Sequence, residues 1–239
     1  MTNQFSRTEM LIGTEAAQRL QTAHVAVFGL GGVGAYAAEA LARAGVGEIT
    51  VVDSDTVSLT NLNRQLLALH STLGQKKTLV QKNRILEINP RCTVHDRDLF
   101  FTAETADQID FSAFDYVADC IDTVASKLLL AEICREKSIP LISSMGTGNK
   151  TDAAGFQVSD ISKTSGCPLA RVMRKELRKR DIRHLTVVYS PVEPMTPVLP
   201  CEEQTSSRQI PGTVSYVPGV AGLLLAGHIL QSLWQEERP

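Results

Sequence analysis

The stretch Val25–Gln65, VAVFGLGGVGAYAAEALARAGVGEITVVDSDTVSLTNLNRQ, decides how the rest of the chain is read. It opens with the apolar run Val25–Phe28, which reads as a buried strand. Gly29, Gly31 and Gly34 follow in G-x-G-x-x-G spacing, with Gly32 between them. An alanine-rich helical segment, Ala35–Ala44, leads to a second apolar run, Ile49–Val52, which ends in Asp53. This is one β-α-β crossover with a glycine turn at its first strand-to-helix junction. Such a turn suits a polyphosphate, because glycine lets backbone N–H groups come close and a helix N-terminus adds partial positive charge. Asp53, at the end of the second strand, is placed to accept hydrogen bonds from ribose hydroxyls.

The glycine spacing alone points to NAD. The continuation D-S-D-T-V-S-L-T-N-L-N-R-Q argues against it. A dehydrogenase has no need for Asn61, Arg64 and Gln65 directly after the ribose acid. A charged, amide-rich loop at that place suits a triphosphate.

Downstream of this unit the elements keep alternating. Leu66–Leu73 is apolar and irregular; Gly74-Gln75-Lys76-Lys77 then opens a helix that Asn89-Pro90 ends. Lys77 in the first turn is unfavourable for the helix dipole, so it is either a surface lysine or a cation for phosphate. Thr93–Leu99 reads as a short strand, Thr102–Ile109 as a weak helix and Tyr116–Asp119 as a buried strand. A helix over Val124–Lys137 and a strand over Ile139–Ser143 follow, the latter ending in the glycine turn Ser144–Gly148. Asp122 lies at a strand C-terminal end, where open α/β sheets bind ligands. A carboxylate beside phosphates calls for a divalent cation between them, so Asp122 is the candidate magnesium ligand. An N-cap role for Asp122 and a competing metal role for Asp119 are the alternatives. The fold class is thus α/β: a Rossmann-like, largely parallel sheet flanked by helices, with right-handed crossovers.

Upstream, Thr8–Leu20 reads as one short helix, with Arg7 just before it. From Asp152 the pattern changes. Gly155–Ile161 suggests an antiparallel strand, Leu169–Lys179 a helix and Leu185–Tyr189 another strand. Ser190–Pro211 carries five prolines, which forbid regular structure and mark a substrate-side loop. Thr213–Val217 reads as a last short strand and Pro218–Trp234 as a closing helix. That helix is apolar enough to raise the question of a membrane; a buried core helix is the preferred reading, with peripheral membrane association as the other.

The 239 residues suffice for one good core, and a net charge of −2 excludes a globally basic protein. A nucleic-acid partner therefore needs a local patch, and Leu169–Arg183 supplies one. Arg171, Arg174, Lys175 and Arg178 face away from an apolar stripe of Leu169, Val172, Met173 and Leu177. Such a helix is either a solvated face or a phosphate-neutralising surface. The five cysteines include no C-x-x-C pair, so a zinc knuckle is excluded and no zinc is expected. The segment MTNQFSRTEM has no apolar core of its own, which makes a cytoplasmic location the expectation.

The opening β-α-β stretch resembles the superfamily of ubiquitin-activating enzymes and bacterial sulfur-carrier adenylyltransferases, which adenylate carboxylates. The stretch LISSMGTGNKTDAAGFQVSDISKTSGCPLARVMRKELRKRDI, the opening FSRTEMLIG and the ending GTVSYVPGVAGLLLAG look like the bacterial tRNA threonylcarbamoyladenosine dehydratases. The likeness covers nearly the whole chain and implies a single ThiF-type adenylating domain over 1–239. Residues 8–150 would form its nucleotide-binding part and 151–239 its substrate and dimer side.

The resemblance implies ATP and Mg2+ held by Gly29, Gly31, Gly32, Gly34, Asp53, Asp55, Asn61, Arg64, Gln65, Lys77 and Asp122. Arg64, Lys77 and Asp122 would carry the chemistry, together with Arg7 reaching in trans across a homodimer. It implies tRNA as partner. A monovalent cation and a sulfur-relay partner, a cysteine desulfurase with its sulfur acceptor, stay open. Cys167 stands where the resemblance leads one to expect aspartate, and the ending lacks the cysteine that some members carry. Cys201, in the proline loop, is the one cysteine placed to act. The activity implied is carboxylate adenylation followed by ring closure with loss of AMP. Adenylation of a sulfur-carrier protein, NAD-dependent oxidoreduction and a non-catalytic nucleotide-binding scaffold are the alternatives.

Overall fold

The strand expected at the start of the glycine motif is β1, His24–Phe28, and all five of its residues are buried. A strand covered on both faces must sit mid-sheet, and β1 does. In this computed structural model, which describes residues 3–199 and 211–235, seven strands form one sheet in the order β3-β2-β1-β4-β5-β7-β6. The strands are β1, β2 (Glu48–Asp53), β3 (Thr93–Asp98), β4 (Tyr116–Asp119), β5 (Leu141–Ser144), β6 (Gln157–Asp160) and β7 (Thr186–Tyr189). All neighbours pair in parallel except β6, which runs antiparallel to β7 along the sheet edge. The α/β class and the largely parallel sheet are as expected from the sequence.

Among the described residues, seven α-helices accompany the sheet: α1 (Ser6–Ile12), α2 (Thr14–Thr22), α3 (Gly34–Ala44), α4 (Lys77–Ile88), α5 (Val124–Glu136), α6 (Pro168–Lys179) and α7 (Val217–Trp234). Alternate residues of each strand point to opposite faces. Val25, Val27, Ile49 and Val51 pack with Leu41, Ala221 and Leu225 on the α3/α7 side. Ala26, Phe28, Val52 and Val117 pack with Leu130, Phe101 and Phe111 on the other. The closing helix α7 belongs to the first of these cores. Half of its 18 residues are buried, and a Cβ at Gly222 would stand 2.3 Å from the Val33 carbonyl oxygen. That close helix-on-helix packing accounts for its apolar composition, as the core-helix reading required.

Four local expectations need correction. The first helix is two, because Gly13 takes φ +85° with an extended ψ and breaks the run between α1 and α2. Residues 102–109 do not form a helix. The Thr105 hydroxyl accepts from the Thr102 amide (3.0 Å) and donates to the Phe100 carbonyl (2.8 Å), and only short 3-10 turns follow. Residues 213–216 form no strand: the Thr213 carbonyl accepts from the Asn63 side chain, and α7 begins at Val217. On α6 the buried stripe is Ala170, Met173 and Leu177, while Val172 is 45% exposed.

Candidate active site

Strand order reverses between β1 and β4, and such a switch point leaves a crevice at the carboxyl ends of the strands. A cleft of about 830 Å³ lies there, large enough for a nucleotide. Its floor is the glycine turn. Gly29 has φ +88°, and a Cβ on it would meet the Cys120 carbonyl oxygen at 2.7 Å. A Cβ on Gly34 would lie 1.8 Å from the Gly29 oxygen, so only glycine lets α3 start this close to β1. At Gly32 a Cβ would meet Pro218 at 2.9 Å. Gly31 is the open one: nothing lies nearer than 3.9 Å from where its Cβ would be. Its backbone therefore faces the cleft unobstructed, as a phosphate cradle requires.

Asp53 closes β2 beside this turn. One carboxylate oxygen accepts from the Leu30 amide (2.6 Å) and the other from the Asp55 amide (2.8 Å). These bonds fix the carboxylate's orientation in the cleft wall. The loop that follows is built by a reciprocal cap, in which Asn61 Oδ1 accepts from the Ser58 amide. This turn brings Asn61, Arg64 and Gln65 to the cleft together. Arg64 donates to the Thr60 carbonyl (2.7 Å) and the Asn63 amide oxygen (3.0 Å), so its guanidinium is held over the opening. Gln65 is 7% exposed, and its Oε1 has no hydrogen-bond partner among the described residues. A buried acceptor left open in a cleft wall costs stability unless a donor arrives with a ligand.

Lys77 is not a surface lysine. It is 4% exposed, lines the cleft and pairs with Asp55 at 2.7 Å. The N-cap reading of Asp122 also fails, since Thr123 occupies the cap position of α5 and Asp122 precedes it. Asp122 lines the cleft with an exposed carboxylate that accepts from the Thr123 hydroxyl at 3.3 Å and pairs with no cation among the described residues.

Asp119 is removed as a competing metal ligand. It is fully buried, pairs with the equally buried Lys127 at 2.9 Å and accepts from the Ser143 hydroxyl at 2.6 Å. Sequence reasoning missed Lys127. It also donates to the Ile121 carbonyl (3.0 Å), while Asp119 accepts from the Ile121 amide (3.1 Å). The pair thereby pins the turn that delivers Asp122. The wall formed by Leu99 and the exposed Phe100 was missed as well. Its signal was the apolar run Leu99-Phe100-Phe101 directly after β3.

The far side of the cleft is the expected glycine turn, Ser144 to Gly148, with Leu169 from the start of α6. Gly148 packs so closely on Pro211 that a Cβ would meet it at 2.7 Å. Arg7 lies outside the cleft, exposed on α1 beside Met10 and Leu11, which are 86% and 87% exposed. On α6, Arg171, Lys175 and Arg178 are exposed and no carboxylate among the described residues pairs with them. Arg174 differs: it donates to the Thr164 carbonyl (2.8 Å) and hydroxyl (2.6 Å). Burial pushes the Cys120 and Cys134 thiols up to about 12 and Cys92 to about 11, so none of these is a thiolate at neutral pH. Cys167 is buried at the N-cap of α6 and makes no capping bond. Cys201 lies outside the described residues.

A family model of the ThiF family matches residues 5–239. The chain belongs to the ThiF family. It is 44% identical over 99% of its length to the tRNA threonylcarbamoyladenosine dehydratase of Bacillus subtilis (strain 168), covering 96% of that relative. A crystal structure of the Escherichia coli tRNA N6-threonylcarbamoyladenosine dehydratase in complex with ATP superposes with a TM-score of 0.87 at 35% identity. The match covers 96% of this chain and 93% of that one. Likeness to the molybdopterin-synthase adenylyltransferase of Escherichia coli (strain K12) is 38% over only 54% of the chain. The resemblance seen in the sequence to dehydratases, over nearly the whole chain, is thus borne out, and the carrier-adenylating members are the more distant relatives.

Proposed function

We propose that this ThiF-family chain uses ATP to dehydrate threonylcarbamoyladenosine in tRNA. A carboxylate oxygen of the threonyl group attacks the α-phosphorus of ATP, and pyrophosphate leaves. An internal nitrogen or oxygen of the same modified base then attacks the activated carbonyl carbon, AMP leaves and a ring closes. Closure within one molecule has a high effective concentration, so no cysteine nucleophile is needed. The raised thiols of Cys92, Cys120 and Cys134 agree with that.

The observation that carries the reading is a single cleft with a phosphate cradle at one side and an acceptor wall at the other. The glycine turn, Asn61, Arg64, Gln65 and Lys77 hold the triphosphate; Asp53 takes the ribose, and Phe100 walls the base. The orphan Oε1 of Gln65 fits this use, since a nucleotide can bring it a donor. Bound Mg2+ would neutralise phosphate charge, and Asp122 is the carboxylate free to hold it. Met145 to Gly148 and Pro211 face the acceptor. Residues 8–150 supply the nucleotide side of this domain and, through Met145 to Gly148 at their end, one edge of the acceptor side; 151–239 supply the rest of it. The exposed arginines of α6 offer a path for tRNA phosphates. We assign the exposed apolar residues of α1 to a second copy of the chain, with Arg7 reaching its cleft, and we place the enzyme in the cytoplasm.

The test is turnover with ATP and tRNA carrying the threonylcarbamoyl group, read as pyrophosphate release and loss of one water from the modified base. Arg64→Ala and Asp122→Ala are each expected to lower turnover on the order of 10²- to 10³-fold with an unchanged melting curve. Wild-type rates in both variants would remove the assignment. Pyrophosphate released only with a sulfur-carrier protein would replace the substrate.

A further inference from the structure

The end of the sheet opposite the cleft carries a cluster that nucleotide chemistry does not use. His24 begins β1, Glu48 begins β2, and His95 is the third residue of β3. Parallel register sets His24 beside Glu48 and Thr50 beside His95. Alternation then puts all four side chains on the face that carries Ala26 and Phe28. The 99–115 connection crosses this side as short turns, with no α-helix to cover the first residues of β2 and β3. The Glu48 and His95 side chains stay 39% and 37% exposed, while His24 is buried.

We propose that His24, Glu48 and His95 form a binding site for one divalent transition-metal ion of the zinc class. One ligand atom from each residue lies within 4.8 Å of the other two. The Nδ1 of His24 stands 3.5 Å from Glu48 Oε1, beyond a good hydrogen bond. In a tetrahedral site with bonds of about 2.0–2.1 Å, ligand atoms sit roughly 3.3–3.5 Å apart, which that separation matches.

The imidazole of His24 is already oriented for the role. Its Nε2 is 2.8 Å from the Thr50 hydroxyl, and its ring stands edge-on to Phe114 at 4.9 Å. A partner on one ring nitrogen directs the other toward the metal and is itself part of a metal site. His95 Nε2 and Glu48 Oε1 are 2.6 Å apart, a hydrogen bond that opens as the ion enters between two half-exposed side chains. The exposed side leaves a fourth position for water. Two imidazoles and one carboxylate select zinc-class ions over magnesium or calcium, which take oxygen ligands. The lack of C-x-x-C pairs excluded a cysteine knuckle and had no bearing on imidazoles spread over three strands.

The experiment uses the full chain freed of metal with a chelator. It is titrated with Zn2+ and, as a spectroscopic probe, with Co2+. The expected result is one ion per chain, visible absorption of four-coordinate cobalt and a raised melting temperature. His95→Gln and Glu48→Gln are expected to abolish the cobalt spectrum and the thermal shift. Thr50→Val is expected to weaken zinc about 10- to 100-fold. Both ligand changes lie at half-exposed positions, and ATP-dependent turnover of His95→Gln should equal wild type, which shows that its fold is intact and keeps this test separate from that of the cleft. Failure of the wild-type chain to bind zinc overturns the proposal, and so does unaltered binding by His95→Gln and Glu48→Gln together.

Discussion

The residue that most repays attention after the cleft itself is Lys127. Its ammonium and the Asp119 carboxylate are both fully buried, 2.9 Å apart, with Ser143 and the Ile121 backbone completing the network. A buried pair of this kind adds little over apolar packing, but losing one member strands the other charge. Lys127→Met is therefore expected to destabilise the chain by about 3–5 kcal/mol in urea unfolding. Pairing it with Asp119→Asn, which removes the stranded charge, should restore much of that loss. A single variant as stable as wild type would show that the pair does not set the turn before α5. The same residues explain why the sequence was ambiguous here. Asp119 and Asp122 are both acids at a strand end, and only the partner eight positions further on, invisible to any local pattern, separates the structural one from the one that faces the cleft.

At the scale of elements, β1–α3–β2 was legible because three signals agree: an apolar run, glycines at fixed offsets and an apolar helix face. Where signals conflicted, tertiary bonds decided. The Thr102–Thr105 segment traded helix for hydroxyl-to-backbone bonds, and Thr213 gave its carbonyl to Asn63 rather than to a sheet. The site was legible where residues follow one another along the loop after β2. The cleft was not legible at Phe100, and at the other end of the sheet the proximity of His24, Glu48 and His95, which strand register alone assembles, was not legible either. On α6 the cations looked equivalent in sequence, and the structure divides them. Arg174 ties the helix to Thr164, so Arg174→Ala is expected to cost about 1–3 kcal/mol of stability. Arg171→Ala with Arg178→Ala should leave stability alone and weaken tRNA binding. Each phosphate contact removed should take about 0.7–0.9 from the slope of log affinity against log salt. An unchanged slope in the double variant would return this face of α6 to an ordinary solvated surface.

For the whole molecule, the core reached by α7 links folding to pH. His228 lies half-buried on that helix, its ring edge-on to Tyr116 at 6.4 Å, and burial lowers its pKa from 6.5. The unfolded chain therefore binds the proton first as pH falls. The stability contributed by a neutral His228 is complete above about 6.5 and is lost as pH drops through the lower folded value. The Lys82 hydrogen bond holds the Asp96 carboxyl below its usual 3.8, so that group stays ionised through this window. The melting temperature should fall between pH 7.5 and pH 5, and His228→Leu, which has nothing to protonate, should fall less. Working in a chelator keeps the β1–β3 cluster free of metal, and His24, whose pKa burial also lowers, leaves a residual slope in both proteins. Equal slopes would mean that α7 opens before His228 titrates, and that the helix closing the fold is not part of its most stable unit.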